Sequence, residues 1–363
     1  MIFKDQIFGR VCAAVLMSAA VSGASAQDAA GNASAWKDPA TAPAEILDIA
    51  QVQTSLLLDA TNSRDRAVVV GDRGHILVSE SRREWRQVPV PTRSMLTAVT
   101  AVDNRMWAVG HDQVIVYSSD GGLTWTLQHS DIAAEGPLLD VLFLDAEKGF
   151  AIGAYGQFLS TSNGGANWKV EFIGALTGRR DAPAAASADA DEAVEGDDDD
   201  SWLVSTDVGE DETDPHLNAM VRTDRGLLIV AEAGKAYRSI NDGASWEKVE
   251  LPYDGSMFGA IALSNGHVLA FGLRGNVFES SNLGLSWTPV NAGTEATLLG
   301  GAALDSDGAI LVGASGTIVR YAGQSRDPKV EIFDEGGVMS AVLPAGMADF
   351  LVIGENGVRT YTP

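Results

Sequence analysis

The sequence predicts an all-β protein, a seven-bladed β-propeller of four-stranded antiparallel blades, and three observations carry that prediction. An eight-residue pattern ending in tryptophan recurs four times. A short apolar run ending in a small residue recurs seven times at a near-constant interval. No segment of the repeats shows the 3.6-residue apolar period of an amphipathic helix.

The first pattern is S/T-x-D/N-x-G-x-[STN]-W, found as SSDGGLTW at 118–125, TSNGGANW at 161–168, SINDGASW at 239–246 and SSNLGLSW at 280–287. Fifteen residues before each Trp, an apolar run ends at Gly110, Gly153, Ala231 and Gly272. The same mark stands alone at Gly71, Gly313 and Gly354, where the Trp pattern has decayed. From Gly71 the successive intervals are 39, 43, 78, 41, 41 and 41 residues, and the 78 is one repeat carrying an insertion of about 37. A period near 41 signals a solenoid or a propeller.

Each unit reads as four short strands. In the second unit these are Leu96 to Val102, Met106 to Val109, Val114 to Ser118 and Trp125 to Gln128. Seven such units, over about 57–361, describe a ring whose closure protects the strand edges. The seventh unit ends at Pro363 before a fourth strand. The segment 36–50, ahead of the first unit, is placed to supply that strand and close the ring; the other reading is a pro-region after a signal peptide.

The Trp pattern is the Asp-box, and its chemistry is structural. Asp120, with Asn163, Asn241 and Asn282 at the equivalent places, brings a side-chain oxygen to the N–H groups of its own turn, and Ser118 opens the box. Gly122, Gly165, Gly243 and Gly284 supply positive φ there. Trp125, Trp168, Trp246 and Trp287 then start the outer strand and pack against a neighbour.

The ends and the composition bound the rest. Residues 1–26 have charged Lys4 and Arg10, an apolar run from Val11 to Val21, and Ala24-Ser25-Ala26 before Gln27, the organisation of a cleaved secretory signal. The apolar run is too short to span a bilayer, so a single mature domain, 27–363, is expected without membrane insertion. The one cysteine, Cys12, lies inside the signal, so the mature fold uses no disulfide. A formal charge of −24 argues against nucleic acid and against an anionic membrane surface. Fourteen Asp and Glu, with no Lys or Arg, fall in 181–214. The segment 176–215 is therefore read as an acidic, disordered insertion between blades 3 and 4. It lacks the spacing of a calcium loop, and Trp202 and Leu203 in it are either an anchor onto the ring or a partner motif.

No catalytic set assembles. The five histidines, at 75, 111, 129, 216 and 267, show no metal-binding spacing, and there is no nucleophile elbow or phosphate loop. The repeated GxxG, as in GDRG at 71–74, reads as a two-residue hairpin turn. No metal and no cofactor are expected. The turns between second and third strands all point to one face, which offers Asp72, Arg73, His111, Asp112, Tyr155, Glu232, Arg274, Glu355 and Asn356 to a partner, with the insertion on the same side.

The units VGHDQVIVYSSDGGLTW and IGAYGQFLSTSNGGANW resemble the repeat of the photosystem II stability/assembly factor-like family of seven-bladed propellers, over roughly 57–361 apart from the insertion. The resemblance implies a non-catalytic factor that holds a membrane-protein client during assembly. Exported bacterial relatives, some of them encoded near RND-type exporters, make a periplasmic accessory factor the expectation, with an extracellular location as the other outcome. The photosynthetic members use an arginine-rich surface; here Arg73 and Arg274 stand among Asp72, Asp112, Glu232 and Glu355, so a photosystem client is not implied. The function expected is a monomeric, non-enzymatic scaffold for a membrane or exported protein. The alternative is a sialidase-like glycoside hydrolase, since Asp-boxes also occur there, with Arg73, Tyr155 and Arg274 as its candidates. The first arginine motif of that family is missing.

Overall fold

A computed structural model describes residues 38–178, 214–305, 307–323, 327–346 and 348–363. The expected signal peptide at 1–26, Trp36, and the stretch 179–213 with Trp202 and Leu203 lie outside the described residues. Seven antiparallel sheets follow one another along the chain, each a simple meander. Blade 1 is β1 (Leu57–Ser63), β2 (Arg66–Gly71), β3 (Ile76–Ser79) and β4 (Arg86–Gln87), and blade 2 is β5 (Leu96–Val102), β6 (Arg105–Gly110), β7 (Ile115–Ser118) and β8 (Thr126–His129). Blade 3 is β9 (Leu138–Phe143), β10 (Gly149–Gly153), β11 (Gln157–Thr161) and β12 (Lys169–Phe172). Blade 4 is β13 (Leu217–Thr223), β14 (Gly226–Ala231), β15 (Lys235–Ser239) and β16 (Glu247–Glu250). Blade 5 comprises β17 (Met257–Ala262), β18 (Val268–Gly272), β19 (Val277–Ser280) and β20 (Thr288–Val290); blade 6, β21 (Leu298–Ala303), β22 (Ala309–Gly313), β23 (Thr317–Tyr321) and β24 (Lys329–Ile332); blade 7, β25 (Met339–Pro344), β26 (Phe350–Gly354) and β27 (Gly357–Tyr361). Two one-turn helices, α1 (Ile49–Val52) and α2 (Ile173–Leu176), flank blade 1 and follow β12.

The second strands explain why the repeat was visible as an apolar run. Strands such as β10 and β22 are buried at every residue, because a neighbouring blade covers each of their faces. Between consecutive blades lies one apolar cluster, and a seventh joins blade 7 to blade 1 through Ala341, Leu343, Leu351 and Ile353 against Leu57, Val69 and Leu77. The ring is closed by packing.

Each of these clusters also holds at least one aromatic from the later of its two blades. Trp125, Trp168, Trp246 and Trp287 occupy the places expected of the four Asp-boxes. In the second blade Gly122 N donates to Ser118 Oγ at 2.9 Å, and Leu123 N and Thr124 N both donate to Asp120 Oδ1 at 3.0 Å. Gly122 has φ +86°, which places its N–H for that bond. Three further aromatics complete the set. Trp85 serves blade 1, in a box one residue shorter where Ser81 Oγ accepts from Arg83 N and Glu84 N. In blades 6 and 7, Tyr321 and Tyr361 stand at the register of Ser118.

The closing strand expected from 36–50 is not part of the seventh sheet, which has three strands among the described residues. Residues 38–47 instead run along the outer side of blade 1: Ala44 N donates to Val90 O at 2.9 Å, Leu47 N to Gln87 Oε1 at 2.9 Å, and Arg93 N to Pro39 O at 2.8 Å. Pro39 and Pro43 lack the N–H that a ladder strand must donate, so this segment makes scattered bonds in place of a ladder. Its contribution to closure comes after it, where Val52 joins the cluster between blades 7 and 1 and Gln53 O accepts from Val358 N at 3.1 Å.

Candidate functional site

The second-to-third-strand turns form a ring on one face, and six of them share one geometry. The turn is three residues long, not the expected two, as Gly71 N bonds to His75 O around Asp72-Arg73-Gly74. Only blade 7 has the two-residue version, with Gly354 paired to Gly357 around Glu355-Asn356. The first turn residue ties each turn to the start of its own inner strand: Asp72 N donates to Leu56 O, His111 N to Met95 O, Glu232 N to His216 O and Glu355 N to Val338 O, at 2.9–3.2 Å. The third is usually Gly. At Gly74, φ is +71° and a Cβ would lie 2.1 Å from Thr92 O, in the link to the next blade.

The second turn residue is left-handed without being Gly. Arg73, Asp112, Tyr155, Ala233, Arg274 and Ser315 have φ between +53° and +58°. An L-residue there costs about 1–2 kcal/mol. The turn nevertheless points Arg73, Tyr155 and Arg274 into solvent as exposed side chains.

Partners fix several of the expected face residues. Asp72 Oδ2 lies 3.5 Å from Arg73 Nε, and Asp112 Oδ2 accepts from Ser94 Oγ at 2.5 Å. Glu355 Oε1 accepts from Val338 N at 3.0 Å, and Asn356 Nδ2 donates to Glu335 O at 3.1 Å. Tyr155 and Glu232 are brought together by His216, a residue the sequence did not mark. The Tyr155 ring meets the His216 ring edge-on at 4.8 Å. His216 N donates to Glu232 Oε1 at 3.1 Å, and its Nδ1 is 3.7 Å from Glu232 Oε2. The Arg274 guanidinium makes no ion pair among the described residues. Arg73, Tyr155 and Arg274 come from blades 1, 3 and 5, each held by its own turn.

Burial lowers the pKa of His75, His111 and His129, so all three favour the neutral ring. Among the described residues no group of three or more His, Cys, Asp or Glu is placed to hold a metal ion, and no helix is long and apolar enough to cross a membrane.

Two acidic residues lie beneath this face at the inner edge. Asp59 and Asp140 follow the bulge of β1 and β9, at a position where the other blades carry Ala98, Ala219, Gly259, Gly300 and Ala341. Each carboxylate crosses to the next blade: Asp59 Oδ2 accepts from Val99 N at 2.8 Å and Asp140 Oδ2 from Met220 N at 2.6 Å. Desolvation outweighs those bonds and pushes Asp59 up to about 7 and Asp140 up to about 6.

Taken together, these features define a seven-bladed β-propeller that presents a ring of tight turns on one face. No family profile and no curated protein matches the chain. Solved structures do, at low identity. YCF48 bound to D1 peptide aligns at 14% identity and a TM-score of 0.61, covering 86% of this chain and 93% of that one. YCF48 from Cyanidioschyzon merolae aligns at 15% and 0.64, covering 88% and 98%. The WD40 β-propeller domain of Doa1 aligns at 11% and 0.61, covering 89% and 96%. The likeness is one of fold.

Proposed function

We propose that the chain is a non-enzymatic scaffold that binds a protein through the turn face. The left-handed turn residues carry this reading. Gly would hold the same backbone at lower cost, yet four of the six positions display Arg73, Asp112, Tyr155 and Arg274. Tyr155 is 45% exposed and braced by His216, the kind of pre-oriented aromatic that anchors interfaces. That a propeller of the same fold has been captured with a peptide is in keeping with it.

The finer reading follows from the sequence. In it the signal-like start and the family resemblance favour the periplasm over an extracellular location, the protein acts as a monomer, and the client is a membrane or exported protein, with an RND-type exporter as one such assembly. A sialidase-like hydrolase would need its arginines gathered on one substrate carboxylate. Here Arg73 is paired with Asp72, and Arg274 belongs to another blade.

The test is capture from a membrane extract, with the captured protein then purified and titrated against wild type and the triple variant Arg73→Ala, Tyr155→Ala, Arg274→Ala. A client that binds wild type and at least roughly tenfold less tightly to the variant supports the scaffold. Equal binding removes the turn face, and hydrolysis of a sialoside lost in the variant replaces the scaffold with the enzyme.

A further inference from the structure

We propose a second binding site, on the face opposite the turn ring: the outer cleft between blades 2 and 3 binds a neutral saccharide of one or two rings. The cleft has a volume of about 590 Å³ and is lined by Arg105, Tyr117 and Gln128 of blade 2 and by Glu147 and Ser162 to Gly164 of blade 3. That size suits a small ligand.

Its chemistry is that of side chains. The backbone around it is already committed: Gly164 N donates to Glu147 O at 2.8 Å, Gly164 O accepts from Trp107 Nε1 at 3.1 Å and Gln128 Nε2 at 2.9 Å, and Ala146 O accepts from Arg105 Nη1 at 3.1 Å. A peptide strand would find no ladder to join there. In contrast, the Tyr117 and Ser162 hydroxyls and the Glu147 carboxylate make no hydrogen bond to the protein among the described residues.

Asn163 adds an independent observation. In the Asp-boxes of blades 4 and 5 the Asn amide donates to a serine, Asn241 Nδ2 to Ser245 Oγ and Asn282 Nδ2 to Ser286 Oγ, both at 2.9 Å. In blade 3 Asn167 stands at the serine position, and among the described residues the Asn163 side chain uses only its Oδ1. Its amide donor is left to the cleft. Gln128, which also lines the cleft, has a buried Oε1 without a hydrogen-bond partner among the described residues.

The aromatic at the cleft is held in place. Tyr117 packs on Trp107 at 5.4 Å, and Trp107 stacks on Phe143 at 3.5 Å. A fixed ring with a polar tip, surrounded by hydroxyl, amide, carboxylate and guanidinium groups, matches a pyranose, which has an apolar C–H face and a rim of hydroxyls. Arg105 and Glu147 balance each other in charge, which favours a neutral ligand over an acidic sugar.

The site is tested with the full chain by saturation-transfer NMR and calorimetric titration against glucose, N-acetylglucosamine, maltose, cellobiose and N,N′-diacetylchitobiose, each at up to ~10 mM. At least one should bind. The exposed double variant Ser162→Ala, Glu147→Gln should weaken it roughly tenfold at unchanged Tm, and Tyr117→Ala should abolish it. The proposal is overturned by no binding of any of these sugars, by binding that the double variant leaves unchanged, or by a trilysine peptide occupying the cleft instead. None of these outcomes bears on the turn face.

Discussion

The Tyr321 hydroxyl donates to Glu279 Oε2 at 2.5 Å across the junction of blades 5 and 6, and the other oxygen of that carboxylate lies 2.6 Å from His267 Nδ1. Glu279 is only 5% exposed. Tyr321 holds the register of an Asp-box serine, so one residue here fills the aromatic place between blades and gives a buried carboxyl group a hydrogen bond. The Tyr361 hydroxyl repeats the device on Glu331 in the next junction.

Tyr321→Phe keeps the ring and removes only the donor. It should cost about 1–3 kcal/mol, since one Glu279 oxygen is left buried without that bond. Replacing both partners, Tyr321→Phe with Glu279→Gln, should recover part of the loss. Urea denaturation of the two variants beside wild type checks this, and equal stability of the single variant and wild type would count against the bond.

The tryptophans make a parallel prediction. Trp125→Ala and Trp246→Ala should each cost about 3–5 kcal/mol, and Trp85→Ala should behave like them although its box is one residue short. Asp120→Ala should cost about 1–3 kcal/mol. Asp120→Asn should be nearly neutral, because the boxes of blades 3, 4 and 5 work with Asn163, Asn241 and Asn282. Thermal melts that rank Asp120→Asn with Asp120→Ala would overturn the acceptor role.

What the sequence made legible follows from which features repeat. The buried second strands and the four full Asp-boxes recur at fixed spacing, so blade count and strand order could be read directly. Trp85 escaped because its box lost one residue, and Tyr321 and Tyr361 because they replace the serine end of the box rather than its tryptophan. Asp59, Asp140 and His216 act across blades, at single positions whose meaning depends on the ring being closed. The N-terminal segment misled for a plain reason: a missing strand invites a donor, but Pro39 and Pro43 make a poor one.

At Gly74, backbone conformation and close approach coincide, and a matched pair separates them. Gly323 has φ +88° with nothing within 4 Å of the place a Cβ would take, whereas a Cβ at Gly74 meets Thr92 O at 2.1 Å. Gly323→Ala should therefore cost only the left-handed penalty, about 1 kcal/mol, and Gly74→Ala clearly more. Equal losses in a chemical melt would show that the link between blades 1 and 2 yields freely.

The turn face offers a variant that divides stability from binding. Arg274 sits at φ +57° with an exposed side chain. Arg274→Gly should leave stability within about 1 kcal/mol of wild type or raise it, because the left-handed cost disappears while the unfolded chain gains freedom. A captured client should nevertheless bind it more weakly. Calorimetry and titration on the same sample check both halves, and undiminished binding would exclude Arg274 from the interface.

The inner-edge carboxylates predict a pH dependence whose sign can be worked out. Asp59 is raised from 3.8 to about 7 in the fold, so the folded state holds its proton more tightly than the unfolded chain does. The stability this contributes is fully present below pH ~4 and is lost as the pH rises through ~7. Asp140, raised to about 6, acts in the same direction over a narrower window, and its charge adds to the rise at Asp59. Asp59→Asn keeps an oxygen to accept from Val99 N and cannot ionise. It should thus be more stable than wild type at pH 8, with the advantage shrinking towards pH 5 by on the order of 2 kcal/mol. Asp140→Asn should show a smaller change of the same sign. Urea midpoints at pH 5 and pH 8 measure the difference directly: an advantage equal at both values, or larger at pH 5, would mean that the carboxylate is ionised in the fold and that the bond to Val99 N outweighs its burial.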